Sequence, residues 1–510
     1  MHSRIELNIS YLGLLNRCWK HIKRKRRNQI RILVLIMFLS GVAEIVSIGA
    51  LVPFLSALTN SENLLENENG KIFYSILGIS DSYQLITFMT LIFGLAVICS
   101  TFIRLFNIWA TGRLTALIGS DISCKAYGNS LYQPYSYHIK TNSSELIASL
   151  SIQLNTVIGL LQSTLSMISS AIIFIFILIT LFIIDAKVAI ILLTSFSLFY
   201  LSVRKFFRTK LEKNSRKVDI ILKKQIKCLN EGYGSLKDIL LQNNQEIYIS
   251  NFKSNDFPLR NLNVQNTFLA NSPRFLIEAF GLCLISSIAY FIYRSTSFSG
   301  EFIPILGAIA LGTQKLIPVS QSIYSSWAVL TANKGTFISV LNLLDLETNQ
   351  LGIYKKNNHL DFKNIIFNKV SFKYGADNDY VIKNLSFSIK KGERIGFIGT
   401  TGSGKTTTVD LLMTLLSPSK GKILIDNKEL NEDIDMKLVL DWRSKIAHVP
   451  QNVFLTDASI QENIAFGVPK NEIDYKKVKN CAKQARISNF IESLPNRYRA
   501  MVGERGAKLS

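Results

Sequence analysis

Residues 399–406 read Gly-Thr-Thr-Gly-Ser-Gly-Lys-Thr, a complete G-x-x-x-x-G-K-[ST] phosphate loop. The apolar residues Ile395 to Ile398 just before it predict a short buried strand, and residues 406–416 after it predict a helix. Glycines let the backbone wrap its N–H groups around phosphates, and the helix N-terminus adds a positive dipole end. A strand, this loop and a helix in that order predict that the chain binds a nucleoside triphosphate.

The phosphate-loop motif also predicts the roles of individual residues and the cofactors ATP and Mg²⁺. Lys405 is placed to reach the terminal phosphates, and the Thr406 hydroxyl is placed to ligate Mg²⁺. The predicted nucleotide contacts within this stretch are Gly399, Thr400, Thr401, Gly402, Ser403, Gly404, Lys405, Thr406 and Thr407.

The composition separates apolar and basic segments along the chain. The 510 residues are 48% hydrophobic yet carry a formal net charge of +22. The charge lies between long apolar runs, where the positive-inside bias of membrane proteins places it. Because no basic and aromatic module accompanies the charge, we expect no nucleic acid partner. The six cysteines are scattered without metal-like spacing, which indicates reduced thiols.

Six apolar stretches are long enough to cross a bilayer as helices, although the fourth is short. Residues 1–31 carry nine Lys and Arg against one acid, and residues 204–267 carry 13 against six, so both are predicted to be cytoplasmic. Six spans then return the chain to the cytoplasm, where ATP is found. The predicted spans are residues 32–58, 85–109, 160–184, 188–203, 268–293 and 302–330, with a tight hairpin at 185–187.

The predicted fold class is an all-α six-helix transmembrane domain followed by an incomplete α/β P-loop nucleotide-binding domain. Residues 1–346 form the first domain, 347–359 a polar linker, and 360–510 the second domain with β-rich runs at 365–374, 386–389 and 421–425. The stretches 110–158 and 204–267 predict helices that continue the spans into the cytosol. Short cross-helices that touch the nucleotide domain are expected near 134–140 and 230–240.

Several further segments carry a resemblance to a known family. Tyr374 lies 25 positions before Gly399, residues 449–451 read Val-Pro-Gln, residues 459–464 read Ser-Ile-Gln-Glu-Asn-Ile, and residues 502–506 read Val-Gly-Glu-Arg-Gly. With the six spans and the loop, the chain resembles an ATP-binding-cassette (ABC) exporter half-transporter. The resemblance implies that Tyr374 stacks on adenine, that Gln451 meets Mg²⁺ and senses the transmembrane domain, and that the chain works as a homodimer or with a partner half-transporter.

The end of the sequence departs from that family's pattern. Leu509 and Ser510 are the first two letters of the expected L-S-G-G-Q signature, and the Walker B aspartate, the catalytic glutamate and the switch histidine do not occur. We therefore assign no catalytic residue in this chain and expect a nucleotide-binding domain truncated within the signature. A fragment, a truncated gene and half of a split gene all fit this pattern.

Charged residues interrupt the predicted spans at Arg104, Arg274, Glu278 and Lys315, with Glu44 in the first span. A basic side chain facing lipid near the bilayer centre costs about 2.5–3.5 kcal/mol. We therefore expect these side chains to face a water-filled cavity or one another, and the three basic ones fall in the cytoplasmic half. A structural alternative is that Arg274 and Glu278, which are i,i+4 neighbours, neutralise each other, and that Arg104 snorkels to the interface.

A resemblance to a more specific group of transporters indicates the class of substrate. Residues 271–281 (NSPRFLIEAFG) and 315–318 (KLIP) are similar to segments of bacterial lipid-linked oligosaccharide flippases of the PglK type, and residues 60–80 resemble their short external helix. This resemblance implies an ATP-driven flippase in the bacterial cytoplasmic membrane whose anionic, isoprenoid-linked glycan contacts Arg104, Arg274, Glu278 and Lys315. Two alternatives stay open, namely a peptide, drug or toxin exporter of the same architecture and a non-catalytic ATP-binding membrane protein.

Overall fold

The structure is a computed structural model that describes residues 10–66, 81–295, 302–348, 361–375, 377–451, 453–503 and 506. The chain divides into two compact units, residues 1–352 and 353–510. Each unit is described by itself. Residues 67–80 of the segment 60–80 that resembles an external helix, most of the predicted linker and the last residues of the chain lie outside the described residues.

The described part of the first unit is helical throughout. Its helices are α1 (Tyr11–His21), α2 (Arg24–Gly49), α3 (Leu51–Thr59), α4 (Ser61–Glu66), α5 (Ser82–Leu131), α6 (Tyr135–Lys140), α7 (Ser143–Ala148), a π-helical turn (Ser149–Gln153), α8 (Leu154–Ile184), α9 (Ala186–Gly234), α10 (Leu236–Gln242), α11 (Gln245–Asn271), α12 (Pro273–Ser295), α13 (Phe302–Ala332) and α14 (Lys334–Leu344).

The helical membrane domain is confirmed, whereas the count of six spans is not. Among the described residues, five helical stretches are long and apolar enough to cross a membrane, namely Arg24–Thr59, Ser82–Leu131, Ser144–Ile184, Ala186–Gly234 and Gln245–Ser287. The sixth predicted span, 302–330, lies in α13, a helix of 31 residues that is not among the five.

Several helices continue well past the predicted spans. With 50 residues, α5 is about 75 Å long at about 1.5 Å per residue, more than twice the thickness of a bilayer core. Similarly, α9 has 49 residues. The short helices α6 and α10 occur where cross-helices are predicted, and their contact with the nucleotide domain stays a prediction.

Local sequence explains where the helices break. Asp185 alone separates α8 from α9, as the predicted hairpin requires, and its carboxylate accepts hydrogen bonds from the backbone N–H groups of Lys187 (2.9 Å) and Val188 (3.2 Å). The fifth predicted span straddles a break, because α11 ends at Asn271 and α12 begins at Pro273. Proline lacks an N–H and favours the first position of a helix.

The apolar core of the first unit is centred on α8. This helix packs mainly against α13 and α2. One buried cluster includes Met37, Leu160 and Phe337, and a second includes Ile48, Ile177 and Leu316. Glu44 of α2 is therefore buried among packed helices, whereas Arg104 of α5 is exposed.

The second unit contains a four-stranded antiparallel sheet in the order β2-β1-β3-β4. The three β-rich runs expected from the sequence are confirmed as β1, β2 and β3. Its elements are β1 (Asn364–Phe372), β2 (Ile382–Lys390), α15 (Lys405–Leu412), β3 (Lys420–Ile425), β4 (Lys428–Glu429), α16 (Glu432–Arg443), α17 (Ile460–Ile464), a 3-10 turn (Lys470–Glu472), α18 (Tyr475–Gln484), α19 (Ser488–Ser493) and a 3-10 turn (Arg497–Arg499).

The buried strand predicted before the phosphate loop is wrong for this structure. Residues 395–398 form no strand, and Ile398 is 99% exposed. A strand needs a hydrogen-bonded neighbour, and the described residues supply none for this segment. The helix after the loop is also shorter than predicted, because Thr414 adopts a left-handed backbone conformation with φ of 58° shortly after Leu412.

Candidate functional site

The phosphate loop leads directly into α15. Gly402 and Gly404 have φ values of 86° and 88°, a region that favours glycine over other residues. A Cβ atom at Gly399 would lie 2.6 Å from the Ser403 hydroxyl oxygen, which is too close for any larger residue without a shift. The turn therefore favours glycine at 402 and 404 through its backbone conformation, whereas a side chain at 399 would require the Ser403 hydroxyl to move.

The loop presents hydrogen-bond donors that suit phosphate. Among the described residues, no acceptor is found for the backbone N–H groups of Gly402, Gly404, Lys405 and Thr406. The Lys405 ammonium folds over the loop and donates to the carbonyl oxygens of Gly399 and Thr400, each at 2.8 Å. Unpaired N–H groups at a helix N-terminus, beside an ammonium, fit a bound polyphosphate.

Tyr374 is tied to the same helix. Its hydroxyl lies 3.0 Å from the Thr407 hydroxyl, and its ring packs edge-on against Phe372 with centroids 5.0 Å apart. Thr407 is buried, whereas the ring of Tyr374 is half-buried. The structure thus places the predicted adenine-stacking ring beside the first turn of the phosphate-loop helix.

The magnesium ligands predicted at Thr406 and Gln451 are both exposed, and no contact joins them. The described residues contain no group of three or more His, Cys, Asp or Glu able to hold a metal ion. Mg²⁺ is usually held by one or two protein groups together with substrate phosphates. The donor set therefore fits a magnesium ion that arrives with the nucleotide.

The exporter-like run at 459–464 forms a capping box at the start of α17. Ser459 and Glu462 bond reciprocally, and the Glu462 carboxylate accepts from the Ser459 N–H at 2.9 Å. These bonds from Ser459, with the Lys470 ammonium 3.0 Å away, lower the pKa of Glu462 to about 2. This run therefore has a local structural role.

Two of the four predicted substrate residues meet at a buried carboxylate. Glu44, which is 3% exposed, accepts a hydrogen bond from the Lys315 ammonium at 2.6 Å. Lys315 also donates to the Ser47 hydroxyl at 2.5 Å, and the Arg104 guanidinium lies 3.8 Å from the second carboxylate oxygen. The cluster joins α2, α5 and α13 and has a formal charge of +1.

The other two predicted substrate residues do not join this cluster. Arg274 and Glu278 are exposed side chains on α12. No ion pair links them to each other or to any other residue that the structure describes. The proposed mutual neutralisation of this i,i+4 pair is therefore not seen.

A cavity of about 170 Å³ adjoins the Glu44 cluster. Its lining combines polar side chains, which include Arg104, Asn107, Thr111, Gln162, Ser166 and Ser322, with the apolar residues Ile108, Ile173, Pro318 and Val319. Asn107 is 3% exposed and donates from Nδ2 to Ser169 at 2.8 Å. Its carbonyl oxygen Oδ1 has no hydrogen-bond partner within the described part of the chain. A buried acceptor without a donor is rare in proteins, but this oxygen is closed off from water, so it offers no contact to a ligand in the cavity.

Sequence reasoning found the charges in the spans but missed these partners. Ser47, Asn107 and Gln162 are uncharged, so nothing marks them out among the Ser, Thr and Asn that occur in many transmembrane helices. A signal for Asn107 was nonetheless present, because it lies one turn after Arg104 and therefore on the same face of α5.

Long apolar helices followed by a phosphate-loop domain define a multi-pass membrane protein with a nucleotide-binding domain. The sequence profile of the ABC transporter transmembrane region matches residues 30–301, more than half of the chain. The ABC transporter profile for the nucleotide-binding domain matches residues 382–510. The chain therefore belongs to the ABC transporter family.

Similar proteins support the family assignment, although each match covers only part of the relative's length. A putative ABC transporter ATP-binding protein (MG015 homolog) of Mycoplasma pneumoniae is 32% identical over 52% of this chain and 42% of its own length. An ATP-dependent lipid A-core flippase of Pseudoalteromonas translucida is 32% identical over 42% of this chain and 35% of its own length. The chain thus spans less than half the length of these curated relatives.

A solved structure shares the fold. The structure of a bacterial Atm1-family ABC exporter with ATP bound matches 95% of this chain and 82% of its own, with a TM-score of 0.76. The sequence identity is 16%, so this likeness concerns the exporter fold alone.

Proposed function

We propose that the chain is a subunit of an ATP-driven exporter that flips an anionic, isoprenoid-linked glycan across the bacterial cytoplasmic membrane. The carrying observation is the cavity beside the Glu44 cluster, where the Arg104 guanidinium and several Ser, Thr and Gln side chains line a space between apolar helices. An anionic headgroup with sugar hydroxyls supplies an acceptor for the guanidinium and both donors and acceptors for the uncharged side chains.

The Glu44 cluster supports an anionic ligand in a specific way. Lys315 is committed to Glu44 and Ser47, so it contributes mainly by neutralising the carboxylate. Arg104 is only loosely paired at 3.8 Å, and 47% of its side chain is exposed. We therefore propose that Arg104 makes the direct headgroup contact and that Lys315 keeps Glu44 from repelling the anion.

The nucleotide part of the proposal is that ATP with Mg²⁺ binds the phosphate loop and drives transport. Residues 399–407 cradle the phosphates, Tyr374 stacks on adenine, and Thr406 and Gln451 take part in magnesium binding. The unpaired N–H groups of the loop support this assignment. When bound, the nucleotide supplies the energy of phosphoanhydride hydrolysis. ATP hydrolysis and work as a homodimer are proposed from the family.

ATP-dependent lipid A-core flippases are among the similar proteins, and their name fits a large amphipathic substrate. A peptide or drug exporter is the competing function, and it predicts a different dependence on charge. An apolar substrate gains nothing from Arg104, whereas a pyrophosphate gains a charge-assisted hydrogen bond worth about 1.5–3 kcal/mol.

The test compares two lipids that differ only in charge. The purified chain in lipid nanodiscs is titrated with undecaprenyl pyrophosphate and with undecaprenol. We expect the pyrophosphate to bind at least about tenfold more tightly and Arg104→Gln to remove most of that preference. Arg113→Gln, on the same helix but outside the cavity, is the matched control. Equal affinity for both lipids in the unmodified chain would overturn the proposal.

A further inference from the structure

A second cavity, of about 410 Å³, lies in the first unit away from the Glu44 cluster. The residues that matter most are Arg204, Arg208, Glu212 and Arg216 of α9, Trp327 of α13 and Lys334 of α14. Arg204 directly follows the fourth predicted span, so the predicted topology puts this cavity at the inner edge of the membrane. None of the residues assigned above to nucleotide or substrate lines it.

Positive charge dominates the cavity wall. Four cationic side chains face one carboxylate, Glu212, which gives a formal charge of +3 from four positive groups and one negative. Glu212 is already bonded to the Arg208 Nε at 2.9 Å. Within the described part of the chain, Arg204 and Arg216 have no ion pair. Among the described residues of the cavity, Arg204 and Arg216 are therefore the two guanidinium groups that are open to an anionic partner.

The pKa of Lys334 is lowered, mainly because its ammonium is partly buried. Glu212 opposes the change, and the guanidinium groups of Arg208 and Arg216 lower the pKa further. Arg204, Arg208 and Arg216 are exposed side chains, and like charges held close together at a surface repel one another to a degree that solvent and salt reduce. A bound anion would relieve that repulsion and so stabilise the fold.

A helix N-terminus adds to the positive potential. The helix α14 has 11 residues, and its first residue, Lys334, lines the cavity. The next N–H, that of Gly335, donates to the Ser215 hydroxyl at 3.0 Å, and Ser215 also lines the cavity. The positive end of the helix dipole therefore meets the same space as the four cations, an arrangement that favours phosphate binding.

The cavity lining also contains apolar and aromatic side chains. They are Tyr11, Trp327 and Leu330. The Arg204 guanidinium lies 5.3 Å from the Trp327 ring centre, and this cation–π contact fixes its position. Tryptophan is typical of the membrane–water boundary. The cavity thus suits a ligand with a charged group and an apolar portion.

We propose that this cavity binds the phosphate group of an amphipathic phosphate ester at the inner edge of the membrane. Phosphate fits better than carboxylate, because several guanidinium groups can share its oxygens bidentately and because it carries more charge. The source is either a phospholipid headgroup or a soluble phosphate ester. The site is separate from the proposed transport cavity, so the two proposals stand or fall independently.

The test titrates the full 510-residue chain in neutral detergent with dioctanoyl phosphatidic acid and dioctanoyl phosphatidylcholine. We expect phosphatidic acid to bind at least about tenfold more tightly, because its phosphate has no attached cation. The double change Arg204→Gln with Arg216→Gln should weaken phosphatidic acid binding by about tenfold or more. Lys205→Gln with Lys217→Gln removes the same charge from adjacent exposed residues outside the cavity and should change the affinity less than about twofold.

Equal losses in the two double variants would show general attraction to a basic surface and would overturn the proposal, as would equal binding of the two lipids. Competition by glycerol 3-phosphate at comparable concentrations supports the site with a soluble phosphate ester as its ligand. No competition, with the variant pattern intact, supports the site with a lipid ligand. Should the first double variant not fold, Arg216→Gln alone decides, with Lys217→Gln as its control.

Discussion

The Lys315 ammonium donates a 2.6 Å hydrogen bond to the Glu44 carboxylate and so joins α13 to α2 across 271 positions of sequence. Each charge alone in an apolar span is costly. Together, and with Ser47 accepting a second hydrogen bond from the ammonium, they form a satisfied polar contact. The pair holds one wall of the cavity beside the Glu44 cluster in place and keeps Arg104 near its mouth.

Replacing Glu44 with Gln should destabilise the first unit. Removing one partner leaves Lys315 buried without a counter-charge, which costs about 3–5 kcal/mol for a fully buried pair. Because 28% of the Lys315 side chain is exposed, we expect the lower end of that range. Thermal unfolding of the purified chain should therefore begin several degrees lower.

The paired change Glu44→Gln with Lys315→Gln is the diagnostic variant, because it removes both charges and should recover most of the lost stability. Glu278→Gln serves as the control, since this exposed carboxylate has no ion pair among the described residues. A double variant as unstable as Glu44→Gln alone would contradict the pairing.

Nucleotide binding should depend separately on the ring and on the hydroxyl of Tyr374. Lys405→Ala should abolish ATP binding, because the loop loses its ammonium. Tyr374→Ala should weaken it by about 1–2 kcal/mol through lost stacking. Tyr374→Phe keeps the ring and loses only the hydrogen bond to Thr407, which helps to position the ring. This change should weaken ATP binding by no more than the net value of one hydrogen bond, about 0.5–1.5 kcal/mol.

These affinities are measured by equilibrium titration of the purified chain with a fluorescent ATP analogue. Tyr380→Ala is the control, since this aromatic residue packs near Lys373 and Lys420 instead of the loop. Undiminished affinity in Lys405→Ala would refute the phosphate-loop assignment.

Arg274 should act on the substrate and not through Glu278. If it contacts the headgroup, Arg274→Gln should weaken undecaprenyl pyrophosphate binding in nanodiscs by about 1.5–3 kcal/mol. The double change Arg274→Gln with Glu278→Gln should not restore it, because no ion pair joins the two side chains among the described residues. Recovery of affinity in the double variant would show that neutralising Glu278 is the only role of Arg274.

The capping box should make α17 sensitive to acid. The pKa of Glu462 is lowered from its usual 4.5 to about 2 by its bonds with Ser459 and Lys470. A carboxyl with a lowered folded-state pKa stabilises the fold above its unfolded pKa. The stabilisation is therefore complete above about 4.5 and is lost as the pH falls toward about 2.

Hydrogen exchange of the amides of residues 460–464 in the purified chain measures this effect. Protection should fall with acid in the unmodified chain and be low and less pH-dependent in Glu462→Gln. Glu472→Gln, an exposed carboxylate with no ion pair in the described part of the chain, should behave like the unmodified chain. An acid response that survives in Glu462→Gln would assign it to another group.

The helical membrane domain, the phosphate loop and three strands could be predicted from the sequence. The helical membrane domain follows from apolar runs of sufficient length, because an unpaired backbone cannot lie in lipid. The phosphate loop follows from glycine spacing, because the turn requires positive φ at Gly402 and Gly404. The strands β1, β2 and β3 follow from β-branched and aromatic runs.

Structural features that depend on contacts between distant parts of the chain could not be predicted from the sequence. Residues 395–398 have the composition of a buried strand, yet a strand exists only with a hydrogen-bonded partner, and the described residues provide none. The fifth span was predicted as one continuous helix for a different reason. Apolar residues continue on both sides of the break before Pro273, so the apolar pattern did not reveal the break.

By itself, the sequence determined which charged residues interrupt the spans and that they need a polar environment, because a charge that faces lipid is costly. Only the tertiary structure decided that Lys315 and Arg104 meet at Glu44 while Arg274 and Glu278 stay apart. It also decided that four cations of α9 and α14 surround one cavity. The physical reason is that such contacts depend on how each helix is rotated and packed against the others, and helical periodicity along one segment does not contain that information.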